Sequence, residues 1–170
     1  MQYSAYVDVL KERYRFDEWK DAGRATAATE MTQALSFSGN ELPGWRLARQ
    51  TRRAVQVPGA RSLVRSTWEG SSRDQLLGVD VFECDSPAAA REALLHVLGE
   101  FQGPTLSAVN GIGDVAFGTP GETAIVFARG NAVAAVRNAG RRVGALGDVA
   151  RALDALLSPR QGKRGAKPTP

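Results

Sequence analysis

Two runs, residues 123–128 (TAIVFA) and 131–137 (NAVAAVR), constrain the fold more than any other part of the chain. Both are apolar, β-branched or small at almost every position, so no helical stripe describes them, and such continuous runs mark strands covered on both faces. Arg129-Gly130-Asn131 stands between them. Glycine followed by asparagine at a tight connection predicts a primed hairpin turn, because both residues tolerate positive φ. Upstream, Pro120-Gly121 has the order of a type II turn, which makes residues 115–118 (VAFG) the third strand of a meander. Beyond Gly140 the apolar period lengthens from two to about 3.6 residues. Leu146, Val149, Leu153, Leu156 and Leu157 then fall on one face and Asp148, Arg151 and Ser158 on the other, which predicts an amphipathic helix laid on a sheet.

The preceding chain supplies similar units. Ser4 is the expected cap of a first helix in which Tyr3, Tyr6, Val7, Leu10 and Tyr14 share a face. After a break over residues 16–23, a second helix is expected over residues 24–37, grouping Ala27, Ala28, Met31, Ala34 and Leu35. Pro43-Gly44 introduces the sheet, residues 45–50 and 53–57 read as a pair of strands, and Pro58-Gly59 is a turn. Residues 63–69 and 76–84 are the next strands. Ser86 as N-cap and Pro87 at the first helical position open a helix that runs to Phe101, with Ala90, Leu94, Val97, Leu98 and Phe101 inward, before Gly103-Pro104 stops it. The fold class that follows is α+β, a mostly antiparallel sheet with helices packed mainly on one face, plus an N-terminal helical segment.

These elements make one domain over residues 1–157, with the N-terminal helices in residues 1–37 and the sheet and its two covering helices in residues 45–157. Residues 158–170 are rich in Pro, Gly and Lys/Arg without apolar anchors and are expected to be a disordered basic tail. The formal net charge of +4 matches the four basic residues of that tail, Arg160, Lys163, Arg164 and Lys167, so the body is neutral. A neutral body argues against nucleic acid as a partner, and the tail reads as a solvated terminus before it reads as an anion-binding arm. No run approaches the roughly 20 apolar residues that span a bilayer, and the N-terminus lacks the features of a signal peptide. A cytoplasmic protein is the expectation for the sequence as given, and an exported mature domain if a leader was removed.

One cysteine and one histidine leave too few ligands for a disulfide framework, a thiol redox pair or a Cys/His zinc site. The lysines at 11, 20, 163 and 167 all lie near the ends, which argues against a buried Schiff-base lysine. No metal and no cofactor is implied. His96 falls on the helix face opposite Leu94 and Leu98, so an exposed histidine is favoured over a catalytic base. Cys84 precedes a helix N-terminus, but Asp85 beside it opposes thiolate formation and an inert, packed cysteine is favoured. Gly111, Gly113 and Gly118 do not form a dinucleotide loop, because a strand and not a helix follows them. Asp80, Glu83 and Asp114 are the carboxylates placed in or beside core strands, and a converging pair of them could do acid/base work.

The clearest charge pattern is a basic strip, Arg46, Arg49, Arg52, Arg53, Arg61 and Arg65, with no acid from Leu42 to Trp68 and with Trp45 and Trp68 nearby. On an exposed sheet face Trp45, Arg46, Arg49, Arg53, Arg65 and Trp68 would hold a protein partner or an anionic ligand. The competing reading is a solvated face whose arginines pair within the chain.

Gly111-Ile112-Gly113-Asp114, Ala116-Phe117, Ile125-Val126-Phe127 and Arg129-Gly130-Asn131-Ala132-Val133 come in the order of a glycine-aspartate lead-in, a strand, an apolar strand, a turn and another strand. This order resembles the C-terminal half of small bacterial domains with the Mog1/PsbP-like fold, including the mycobacterial LpqN-type lipoproteins. The likeness covers about a quarter of the chain, and the lipobox cysteine of the exported members is absent. The resemblance implies a sheet covered by helices and a binding or accessory role, and it transfers no site residue. The leading expectation is therefore a non-catalytic binding or accessory domain working through the arginine-rich surface or the N-terminal helices. The alternative is a small enzyme or ligand-converting protein with a carboxylate-containing pocket between sheet and helices. Homo-oligomers formed through strand edges or the aromatic helices remain a third reading.

Overall fold

The structure is a computed structural model that describes residues 2–22, 37–101 and 105–158. Four α-helices are described, α1 (Gln2–Arg13), α2 (Phe16–Trp19), α3 (Pro87–Glu100) and α4 (Gly147–Leu157). The strands are β1 (Arg46–Arg53), β2 (Ala60–Glu69), β3 (Leu76–Cys84), β4 (Ser107–Ala108), β5 (Val115–Gly118), β6 (Ala124–Arg129) and β7 (Ala132–Asn138). They form one sheet in the order β1-β2-β3-β7-β6-β5-β4, and every neighbouring pair is antiparallel. The fold is thus α+β with a mostly antiparallel sheet and an N-terminal helical segment, as the sequence predicts.

The two continuous apolar runs became β6 and β7, with β7 between β3 and β6 at the centre of the sheet, and alternation sends their side chains to two separate cores. Ile125, Phe127, Ala134 and Val136 join Trp68, Leu77, Val79 and Val81 under α4, through Leu146, Val149, Leu153 and Leu157. Val126, Ala128, Val133 and Ala135 join Leu63, Phe82 and Cys84 under α3, through Ala90, Leu94 and Leu98, with Leu10, Tyr14, Phe16 and Trp19 of the N-terminal segment beside them. Among the described helices, three therefore share one face and α4 lies on the other, where Phe37 and Leu42 join the same core.

Several boundaries differ from expectation for local reasons. Residues 46–53 form one strand, because β1 stays in register with β2 through Arg53↔Leu63 and is interrupted only by an irregularity between Leu47 and Arg49. Ser4 lies inside α1 and does not cap it, and Leu156 is an exposed residue of α4. The β6–β7 hairpin pairs Arg129 with Ala132 across a two-residue turn. Only Gly130 has positive φ there, 55°, which is the II′ pattern and asks nothing unusual of Asn131. Asn131 is instead fixed by its side-chain amide, which donates to the Cys84 carbonyl at 3.1 Å. Ser86 caps α3 as expected, its Oγ accepting from the Ala89 N–H at 3.1 Å. The side chain of Tyr3, residues 24–36 of the helix expected over 24–37 and the basic tail from residue 159 lie outside the described residues, while Phe37, expected to end that helix, is non-helical and buried.

Candidate functional site

Residues paired across strands stand on the same face of a sheet, so the register lays out the α3-side surface row by row. One row runs Arg49, Thr67, Gly78, Arg137 from β1 to β7. The next runs Thr51, Arg65, Asp80, Ala135, and the one after it Arg53, Leu63, Phe82, Val133. Helix α3 covers the β6 and β7 part of this face, and β1 extends beyond it with Arg49 and Arg53 exposed.

The arginines of the strip divide into two groups. Arg46 donates to Glu69 at 2.7 Å, and Arg61 to Glu83 at 2.8 Å and Asp85 at 3.1 Å. Arg65 makes a bidentate pair with its cross-strand neighbour Asp80, Nε to Oδ1 at 3.0 Å and Nη2 to Oδ2 at 3.2 Å. These hydrogen bonds and the Asp80 charge raise the Arg65 pKa, burial opposing them. Arg49, Arg52 and Arg53 are exposed and make no ion pair among the described residues. Half of the strip is therefore paired within the chain, including Arg46 at the start of β1, and Arg49, Arg52 and Arg53 further along that strand are not. The tryptophans do not join it. Trp68 is 0 % exposed in the α4-side core, where its Nε1 donates to Ser66 Oγ at 2.9 Å, and Trp45 packs on that same core.

The three core carboxylates stand apart. Asp80 faces α3 while Glu83, three residues along β3, faces the other way, and Asp114 lies at the end of the β6–β7 hairpin. Each is held by arginine. The Asp114 carboxylate accepts from the Gly130 N–H at 2.7 Å, Arg91 Nη2 at 2.8 Å and Arg129 Nη1 at 3.3 Å. Arg129 also chelates Asp154 of α4 through Nε at 2.7 Å and Nη2 at 2.8 Å, and Asp154 accepts from the Gly113 N–H at 2.9 Å. Arg91 is completed by the carbonyls of Ala22 and Gly130. The glycine-aspartate segment is thus a clamp that joins α3, α4, the hairpin and the end of the N-terminal helices. Gly113 is required in it, since its φ is +59° and a Cβ there would meet the Ala128 carbonyl oxygen at 2.5 Å.

The clamp residues Arg91, Arg129 and Asp154 did not emerge from the sequence as candidates. A signal exists for two of them: Arg91 and Asp154 occupy buried positions on helix faces otherwise made of Gly, Ala, Leu and Val. His96 is half-buried, and burial lowers its pKa, with Glu92 and Glu100 pulling upward. Cys84 is fully buried and its thiol is pushed up to about 12, by burial first and then by Asp85 and Glu83, so it is no nucleophile near neutral pH. Among the described residues no cluster of three or more His, Cys, Asp or Glu is placed to hold a metal ion, and no helix is long and apolar enough to cross a membrane.

A groove of about 360 Å³ lies where the C-terminal end of α3 meets the sheet. Phe82, Val97, Phe101 and Ala135 line it, with the Arg65–Asp80 pair, Glu100 and Arg137 as its polar residues. Arg137 was legible in the sequence only as the end of an apolar strand. Comparison with protein-family models, curated protein sequences and solved structures found no match for this chain.

Proposed function

We propose that this chain is a non-catalytic binding or accessory domain that holds an acidic protein partner through the exposed arginines of β1. The observation that carries the reading is the division within the basic strip. Arg46, Arg61 and Arg65 are matched by carboxylates of the chain, whereas Arg49, Arg52 and Arg53 are exposed on an outer strand and make no ion pair among the described residues. Guanidinium groups carry rigid donor forks suited to carboxylates, and two of them on one face of the strand, Arg49 and Arg53, favour a partner with a run of Asp and Glu. The resemblance of the 111–133 segment to Mog1/PsbP-like domains supports a binding role. The three core carboxylates, each engaged by arginine and not converging, give the enzymatic alternative no acid/base pair to work with.

The test uses a peptide with an Asp/Glu-rich run, titrated into the protein by fluorescence anisotropy at rising salt. Binding should weaken as salt rises, because contacts between exposed charges are screened. Arg49→Glu with Arg53→Glu should weaken it at least tenfold while leaving the unfolding midpoint near that of the parent. Equal affinity in parent and double variant refutes the assignment of this surface.

A further inference from the structure

We infer that the groove between the end of α3 and the sheet is a binding site for a small amphipathic carboxylate, with its head on Arg137 and its apolar body on Phe82, Val97, Phe101 and Ala135. This goes beyond the acidic-partner reading and uses none of the residues tested there. A groove of about 360 Å³ falls within the roughly 300–1,000 Å³ of small-ligand pockets, which are mostly apolar with a few polar groups that fix orientation.

Charge decides the chemical class. The Asp80 carboxylate is engaged by Arg65 through two hydrogen bonds, so neither partner of that pair is the obvious anchor for a ligand. The Arg137 side chain is exposed and makes no ion pair or hydrogen bond among the described residues. It is also directed over the sheet. Its cross-strand neighbour is Gly78, and a Cβ there would lie 3.2 Å from Arg137 Nε and 3.4 Å from its Cγ. With no side chain at 78, the arginine stem lies along the sheet at the mouth of the groove. Glu100, the last residue of α3, stands among the groove residues with its charge felt by Arg65. The helix C-terminus adds partial negative charge near it. An anionic head is therefore repelled from the α3 end and attracted to the Arg137 end, which leaves the apolar part of the ligand against Val97 and Phe101.

Octanoate and octylamine carry similar chains and opposite heads, so titrating each into the whole protein by calorimetry and by amide NMR tests the proposal. Octanoate is expected to bind, with shift changes centred on Phe82, Val97, Phe101 and Ala135, and octylamine to bind at least tenfold more weakly. Arg137→Gln should cost octanoate about tenfold, the order of one charge-assisted hydrogen bond. Ala135→Leu should fill the groove and abolish binding, with circular dichroism and the unfolding midpoint checking that the fold is kept. Equal or tighter binding of octylamine overturns the inference, as does octanoate binding that survives Arg137→Gln or perturbs a different surface. Tighter capture of a short peptide with a free C-terminal leucine than of octanoate would overturn the small-molecule assignment. Because Arg49 and Arg53 take no part, the Arg49→Glu, Arg53→Glu double variant should bind octanoate within about twofold of the parent.

Discussion

Replacing Asp114 by alanine tests whether the charge clamp, and not the groove or the edge, holds this architecture together. The Asp114 side chain is 5 % exposed and its partner Arg91 only 1 %. Removing the carboxylate leaves a buried guanidinium facing the carbonyls of Ala22 and Gly130 with no counter-charge of its own, and it strips the Gly130 N–H of its acceptor. Breaking a buried pair by deleting one partner costs roughly 3–5 kcal/mol, since the surviving charge stays desolvated. Arg129 keeps its two bonds to Asp154, so the loss should stay within that range. By contrast, Glu69→Ala removes a surface pair with Arg46 and should cost no more than about 1 kcal/mol. Urea unfolding followed by tryptophan fluorescence measures both, since Trp19 and Trp68 are buried. Adding Arg91→Met to Asp114→Ala removes the stranded charge and should recover at least about 1 kcal/mol, a coupling that a double-mutant cycle isolates. A cost for Asp114→Ala as small as that of Glu69→Ala, at unchanged m-value, refutes the reasoning.

Two further outcomes follow from the buried Cys84 and the half-buried His96. Cys84, with its thiol pushed up to about 12 and no exposed surface, should resist an aromatic disulfide reagent at pH 8 in the folded protein and react at once in denaturant; fast labelling of the native state contradicts this. Burial holds the His96 pKa below its ordinary value, Glu92 and Glu100 opposing and Lys11 assisting, so the unfolded chain binds that proton more readily. Its contribution to stability is then complete above the unfolded pKa of about 6.5, declines as pH falls through it, and levels off below the folded value. His96→Gln should flatten that limb in urea midpoints measured from pH 5 to 8, and an unchanged limb counts against the assignment.

The sequence exposed what depends on neighbours along the chain and hid what depends on neighbours across it. The runs at 123–128 and 131–137 and the Ser86-Pro87 start of α3 are local signals of apolar continuity and capping, and the elements fall within a residue or two of their expected bounds. Which face each helix covers is not local. Leu94 and Leu98 look no different in pattern from Leu153 and Leu157, yet α3 and α4 lie on opposite faces. Trp68 shows the same limit at the candidate surface. It sits among arginines in sequence, but alternation along β2 turns it into the α4-side core while Arg65 faces α3. The Arg65–Asp80 pair is set by strand register and Arg61 reaches Glu83 from the irregularity between Ala60 and Ser62, so which arginines of the strip remain unpaired could not be read before that pairing was known.

The exposed arginines of β1 also bear on how a partner can approach. An outer strand offers unpaired backbone groups to other chains, and charged side chains and bulges are ways of blunting that hazard. Strand β1 has both, with Arg49, Arg52 and Arg53 exposed and its register shifting between Leu47 and Arg49. An added strand would have to follow that irregularity and would leave the side chains of Arg49 and Arg52 on opposite faces of the extended sheet. Arg49 and Arg53, both on the α3 side, can instead meet one acidic surface together while the backbone edge stays unused. On the proposed reading, protection of the edge and recognition of an acidic partner rest on the same residues, and substitution separates the two. Arg49→Lys with Arg53→Lys keeps the charge that discourages strand addition but loses the paired donors that suit carboxylates, so it should weaken the acidic peptide while leaving the protein as free of self-association as the parent.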